Sequence, residues 1–374
     1  MVEKNQVHPL NVYRTVSVLI VFMLHAWIFS MSLGFTYDRR TWFLKTPAWA
    51  GVWLFFLLSG YLMGKGFLTG RYKQDGRYTG KSILQFYIRR IVKVGVPAWM
   101  FCILSIILLD PEFFIKNKTV VFTILTFRYV NDPASNIIGA TWYVSSLMWL
   151  YLCVPFLCML TEALAERIKY RKSVMMGIFF VVTVLGLVLR LIMYQKGLPW
   201  SPKVYVPFYC NLDIYICGLL INYMERDFEK KEKAYISGVL SFVVLLTVVV
   251  LNSGIYFLSE TDRSCLFICQ YICPTIYIYA GTYFLMRWGN YNKKQADITW
   301  WNVCRNPLRL MDAFAGISFE FYLVHSMVYN SIYRYLNTGS PLENHLLLLL
   351  CAFVISAALS VLMHRAFQPV RHTL

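Results

Sequence analysis

Long unbroken apolar segments constrain this chain more than any other feature. A helix needs about 20 apolar residues to cross the hydrocarbon core of a bilayer. Ten segments approach that length: Val12–Leu33, Ala48–Leu68, Ile91–Leu109, Thr141–Leu160, Val174–Tyr194, Val206–Tyr223, Tyr235–Leu251, Cys265–Arg287, Phe314–Tyr335 and His345–Arg365. Charged residues make up only 15% of the 374, against roughly 25% in soluble domains. A soluble enzyme is thereby excluded. The expected fold is all-α, a polytopic transmembrane helical bundle of about ten helices. The first segment lacks a small-residue cleavage site, so it reads as a span and not as a signal peptide. Thr119–Phe127 is apolar but short and reads as re-entrant or interfacial. One membrane domain over residues 8–369 is expected, with no separate soluble domain and no internal repeat.

The net charge of +17 would suit nucleic acid, but its distribution argues for a membrane. With the N-terminus inside, 24 Lys and Arg fall on the cytoplasmic side and 10 on the other. Positive charge gathers on cytoplasmic loops, so both ends are placed inside. The partner is the lipid bilayer, and no nucleic acid is expected. The ten cysteines lie mostly within apolar segments and read as small packing residues. Cys265, Cys269 and Cys273 share a helix face, but no His or carboxylate completes a ligand set there, and no metal is expected. The stretch Lys81–Lys93 has apolar residues at helical spacing and ends in Arg89, Arg90 and Lys93. It fits an interfacial helix on anionic lipid or a cytoplasmic phosphate-binding cluster.

Ionisable groups in hydrocarbon are costly and usually face a cavity or a partner. Arg14 and His25 both lie in the first segment. At about 100° and 1.5 Å per residue they share one helix face, about 16 Å apart. A cation at the inner mouth and an imidazole deep inside suit a long ligand with a charged head and a reactive tail, the shape of an acyl-coenzyme A. The bland alternative is a snorkelling arginine and a structural histidine. Ser59, Asp213 and His325 fall at the same mid-membrane level. Tyr322 and Tyr329 share a face with His325, whereas Glu320 points about 140° away. His25 could act as general base, since imidazole titrates near the operating pH. Asp213 and Glu320 are the carboxylates available to support it, and the sequence leaves open which one does.

These residues resemble the family-3 membrane acyltransferases. In that family an Arg, ten residues and a His open the first helix, here Arg14 and His25. Phe55-Phe56-Leu57-Leu58-Ser59-Gly60-Tyr61-Leu62 is similar to the second-helix signature. Phe86-Tyr87-Ile88-Arg89-Arg90, with Pro97 beyond, resembles the basic run entering the third. Thr141-Trp142-Tyr143 resembles the start of the fourth, and Phe321-Tyr322-Leu323-Val324-His325 the late Tyr-Leu-x-His element. One departure is Gln368 before Pro369, where many members have an acidic residue.

The resemblance implies transfer of an acyl group, commonly acetyl, from cytoplasmic acyl-CoA to a hydroxyl of a cell-surface glycan or lipid-linked sugar. It implies a multi-pass protein of a bacterial cytoplasmic membrane, with acyl-CoA as co-substrate and no resident cofactor. His25 is then catalytic, and Arg14, Arg89 and Arg90 handle the acyl-CoA. The remaining candidates for substrate contact are Ser59, Trp142, Tyr143, Asp213, Glu320, Tyr322 and His325. Trp142 and Tyr143 suit a sugar face on the outer side. Lacking a fused extracytoplasmic domain, the chain would act alone or pass its acyl group to a separate protein. Two other readings stay open. One is a transporter of a small polar solute or glycan intermediate, for which Pro207 and Pro274 would mark helix breaks. The other is a structural or sensor protein.

Overall fold

A computed structural model describes residues 9–31, 47–109, 112, 124–127, 141–168, 171–225, 234–259, 262–288, 299–336 and 341–372. Its main helices are α1 (Pro9–Met31), α2 (Ala48–Leu68), α3 (Gly80–Leu109), α4 (Trp142–Arg167), α5 (Arg171–Gln195), α6 (Leu212–Glu225), α7 (Ala234–Leu258), α8 (Arg263–Arg287), α9 (Thr299–Ile332) and α10 (Pro341–His372). Each apolar segment read from the sequence corresponds to one of these. No β-strand occurs among the described residues, only an isolated bridge between Gln74 and Arg77. Most of Thr119–Phe127 lies outside the described residues.

Eight of the ten helices are long and apolar enough to cross a membrane. The other two, α6 and α9, carry Asp213 and His325. Helix α6 has only 14 residues, and the chain before it runs through a π turn, Trp200–Tyr205, and a 3-10 turn, Phe208–Asn211. Helix α9 has 34 residues, but Asp312, Glu320 and His325 dilute its apolar content.

The basic run is not a separate interfacial helix. It forms the first turns of α3, which continues for 30 residues, about 45 Å. A π turn, Ile91–Gly95, precedes Pro97. Another, Ile268–Ile272, precedes Pro274 in α8. Proline lacks an N–H and its ring clashes with the carbonyl four residues back, so one widened turn lets each helix continue.

Helices α1 and α2 sit at the centre. Their most apolar stretches are 61% and 67% buried, against 22% for α10. The outward faces of α5 and α10 carry Phe180, Leu185, Leu350 and Leu362, all exposed, as a lipid-facing surface requires. The most extensive helix contact joins α2 to α6. A Cβ on Gly60 would stand 2.1 Å from the Tyr215 carbonyl oxygen, and one on Gly218 would stand 2.1 Å from that of Leu57. Only glycine at both positions lets these backbones meet, which is how membrane helices without a hydrophobic drive pack closely. Asn222 Nδ2 then donates to the Tyr61 carbonyl at 2.9 Å. Cys269 and Cys273 direct their thiols to Asn252.

Candidate active site

His25 projects from α1 toward α9. Its Nδ1 lies 2.9 Å from the Val21 carbonyl oxygen, one turn back on its own helix. A ring nitrogen facing a carbonyl carries the proton, because the carbonyl can only accept. His325 repeats the device, with Nδ1 2.6 Å from the Tyr322 carbonyl oxygen. His325 Nε2 is therefore a lone pair. It sits 3.3 Å from His25 Nδ1 and accepts a share of that proton. The rings meet nearly edge to face, 4.7 Å apart at 80°. One nitrogen of the pair, His25 Nε2, has no protein partner among the described residues, and it is unprotonated. His325 is fully buried and His25 half-buried.

Aromatic residues carry this pair toward other helices. Tyr322 lies 5.6 Å from the His325 ring and 5.4 Å from Tyr143. Tyr143 in turn packs on Phe56 at 4.8 Å. Trp142 meets Tyr205 at 4.6 Å. Tyr329 closes the other side, donating to the Phe22 carbonyl at 3.3 Å while Phe22 packs beside His325.

Arg14 lies on the His25 side of α1, half-buried, with no hydrogen bond or ion pair among the described residues. Its charge reaches the phenols of Tyr143 and Tyr151 and the carboxylate of Glu320. Tyr151 also pairs with Ser59, Oη to Oγ 3.3 Å. The Arg90 guanidinium lies over the Tyr151 ring at 5.7 Å and donates to Tyr72 Oη at 3.1 Å. Tyr151 thus joins Arg14, Ser59 and Arg90, a role that the sequence reading missed. The available signal was its place on α4, two turns beyond Tyr143.

The start of α3 is fixed by a capping box. Ser82 N–H donates to Thr79 Oγ1 and Thr79 N–H to Ser82 Oγ, at 3.1 and 3.0 Å, satisfying two N–H groups that a helix start leaves open. The turn before it is tied to α4, where Glu162 accepts from Lys73 Nζ at 2.5 Å and Tyr78 Oη at 2.6 Å. Burial, and then the Glu162 carboxylate, push the Tyr78 phenol well above its usual range. Arg89 and Arg90 therefore sit on an anchored helix end. Arg89 is half-buried.

The two carboxylates do not join His25. Asp213 Oδ2 is 2.9 Å from Arg190 Nη2, and Arg190 also donates to Thr275 Oγ1 at 3.3 Å. A Cβ on Gly186 would fall 1.9 Å from Asp213 Oδ2, so the pair occupies the space this glycine leaves. Glu320 is fully buried and accepts from His364 Nδ1 at 3.1 Å. The group that steadies His25 is a second histidine.

A helical bundle of membrane-crossing length, with a paired imidazole and a bare cation on one central helix, defines a multi-pass membrane protein with a candidate site in its interior. The family model for the acyltransferase domain matches residues 7–365, and the chain belongs to that family, the family-3 acyltransferases. It is an acyltransferase. No curated protein and no solved structure matches it.

Proposed function

We propose that this enzyme transfers an acyl group, acetyl in the first instance, from cytoplasmic acyl-CoA to a hydroxyl of a cell-surface glycan. It would work in the cytoplasmic membrane of a bacterium. The observation that carries the proposal is the His25–His325 pair, whose hydrogen bonds leave His25 Nε2 as a bare base on the same helix face as Arg14. Family membership favours this enzyme over the transporter and sensor readings.

Arg14, Arg89 and Arg90 take the anionic end of acyl-CoA, and the thioester extends toward His25. The acceptor hydroxyl gives its proton to His25 Nε2 while its oxygen bonds to the thioester carbonyl carbon. The carbon–sulfur bond breaks, and the imidazolium returns its proton to the departing thiolate. His325 is a positioning residue: accepting from Nδ1–H, it holds the tautomer that leaves Nε2 free and supports the imidazolium when it forms. A base so positioned contributes about 10²–10⁴-fold to such a step.

The test incubates purified protein with acetyl-CoA labelled in the acetyl group and a glycan acceptor. Wild type labels the acceptor and His25→Ala does not. Equal labelling by both would remove His25 from the chemistry. His325→Ala lowers kcat, roughly 10²-fold or more by analogy with the loss of other tautomer-fixing groups, while the KM for acetyl-CoA holds.

A further inference from the structure

On the side opposite the cytoplasmic loops, two helices and the turn before α6 bring five aromatic rings together. Trp49 and Trp53 open α2, and Trp142 opens α4. Trp200 and Tyr205 bracket the π turn leading toward α6. Trp200 and Tyr205 lie nearly parallel, 5.7 Å apart at 10°. Trp49 stands edge-on to both, at 6.2 and 6.5 Å, Trp53 contacts the same two at 6.5 and 6.3 Å, and Trp142 meets Tyr205 at 4.6 Å.

Aromatics at a membrane boundary are ordinary, because their polar tips reach the headgroup region. Two features set this group apart. The indole Nε1–H groups of Trp49 and Trp200 are buried and have no hydrogen-bond partner among the described residues. Trp49 is 9% exposed, so its donor is turned into the protein and away from the interface. A buried unpartnered donor is costly and calls for an explanation, such as a ligand or water that completes it. Trp142, Trp200 and Tyr205 meanwhile keep part of their surface open, while Trp49 and Trp53 close off the back. The group also connects to the reaction site: the Tyr205 phenol lies within electrostatic reach of Tyr322, which packs on His325.

We propose that this aromatic box is the acceptor subsite and that it holds a pyranose ring. An amphipathic ring suits such a ligand, having an apolar body to cover a C–H face and a polar tip for hydroxyls. Trp142, Trp200 and Tyr205 cover the sugar face, and the Trp49 and Trp200 N–H groups donate to its hydroxyl oxygens. The assignment rests on the acyl-to-sugar reading above and adds the residues that choose the acceptor.

The test measures equilibrium binding of methyl glycosides of glucose, galactose, N-acetylglucosamine and rhamnose to the full chain in nanodiscs, without any acyl donor. Glycerol is the control ligand. At least one glycoside binds saturably and glycerol does not. Trp200→Phe and Trp49→Phe, which keep a ring but remove the N–H, each weaken binding about three- to tenfold, the worth of one hydrogen bond. Trp149→Phe, whose indole already donates to the Phe127 carbonyl, leaves it unchanged. Thermal midpoints matching wild type show that the Phe variants fold. Binding unchanged in both Phe variants overturns the assignment, as does transfer to a sugar hydroxyl by a wild-type protein that binds no glycoside. Binding that weakens as expected, in a protein that transfers nothing from acyl-CoA, upholds the box and removes the donor reading instead.

Discussion

Two buried polar pairs in this bundle are built in opposite ways. Arg190 and Asp213 face each other at 2.9 Å, with Thr275 beside the arginine and Gly186 yielding the space. Opposite charges offset one another across the pair, although Arg190 Nε and Asp213 Oδ2 make no hydrogen bond among the described residues. His25 and His325 bring no opposite charge. Backbone carbonyls accept hydrogen bonds from their Nδ1–H groups, and one nitrogen remains uncommitted. Arg14, on the same helix as His25, likewise has no protein counter-ion in hydrogen-bonding range among the described residues. Where the cost of burial is met inside the protein, a polar group serves structure. Where no partner is present among the described residues, as at Arg14 and His25 Nε2, the group is available to a ligand.

The sharpest way to break this contrast is to remove one member of each pair. His25→Ala lowers acyl transfer by about 10²–10⁴-fold and leaves the thermal midpoint near that of wild type. Asp213→Ala strands a buried arginine and costs about 3–5 kcal/mol, read as lost folded yield, while whatever protein folds keeps its specific activity. The double variant Arg190→Met with Asp213→Leu recovers the yield, since an apolar pair can replace a buried ion pair. A double variant that folds well but transfers no acyl group would move Asp213 back into the site.

Smaller changes sharpen the same point. Arg14→Ala raises the KM for acyl-CoA roughly 30-fold or more, the lower end for losing a charge-paired contact, with little change in thermal midpoint. Gly186→Ala forces a methyl into Asp213 and lowers stability by about 1–3 kcal/mol, measured by thermal unfolding, with the acyl-CoA KM unchanged. Thr79→Ala, which opens the capping box of α3, costs about 1 kcal/mol and raises the acyl-CoA KM only slightly.

Much of the fold was legible in the sequence because membrane helices are local. The segment Ala48–Leu68 coincides with α2 end for end, since Pro47 precedes it and Thr69 follows. Arg14 and His25 could be placed on one face because a single helix carries both. The faces of α9 were legible too: Tyr322 and Tyr329 accompany His325, while Glu320 turns away to His364. Contacts between helices were not. His325 lies 300 positions from His25, and no periodicity links α1 to α9. The expectation of a carboxylate beside His25 rested on general acid–base chemistry, but here a backbone carbonyl and a second imidazole fix the tautomer. Gly60 illustrates the same limit. A glycine at mid-helix admits a close neighbour, but only the packing of α2 on α6 shows that a helix fills the gap.

The claim on which the site rests is that His25 carries its proton on Nδ1 and keeps Nε2 bare. Nitrogen-15 NMR of protein labelled only at its six histidines, in bilayers near neutral pH, reads this directly, with His25→Ala assigning the resonance. The expected spectrum shows His25 with a protonated Nδ1 and an unprotonated Nε2, and His325→Ala disturbs that signature. A His25 ring protonated at Nε2 and bare at Nδ1 would contradict it, because the nitrogen offered to the acceptor could then take no proton.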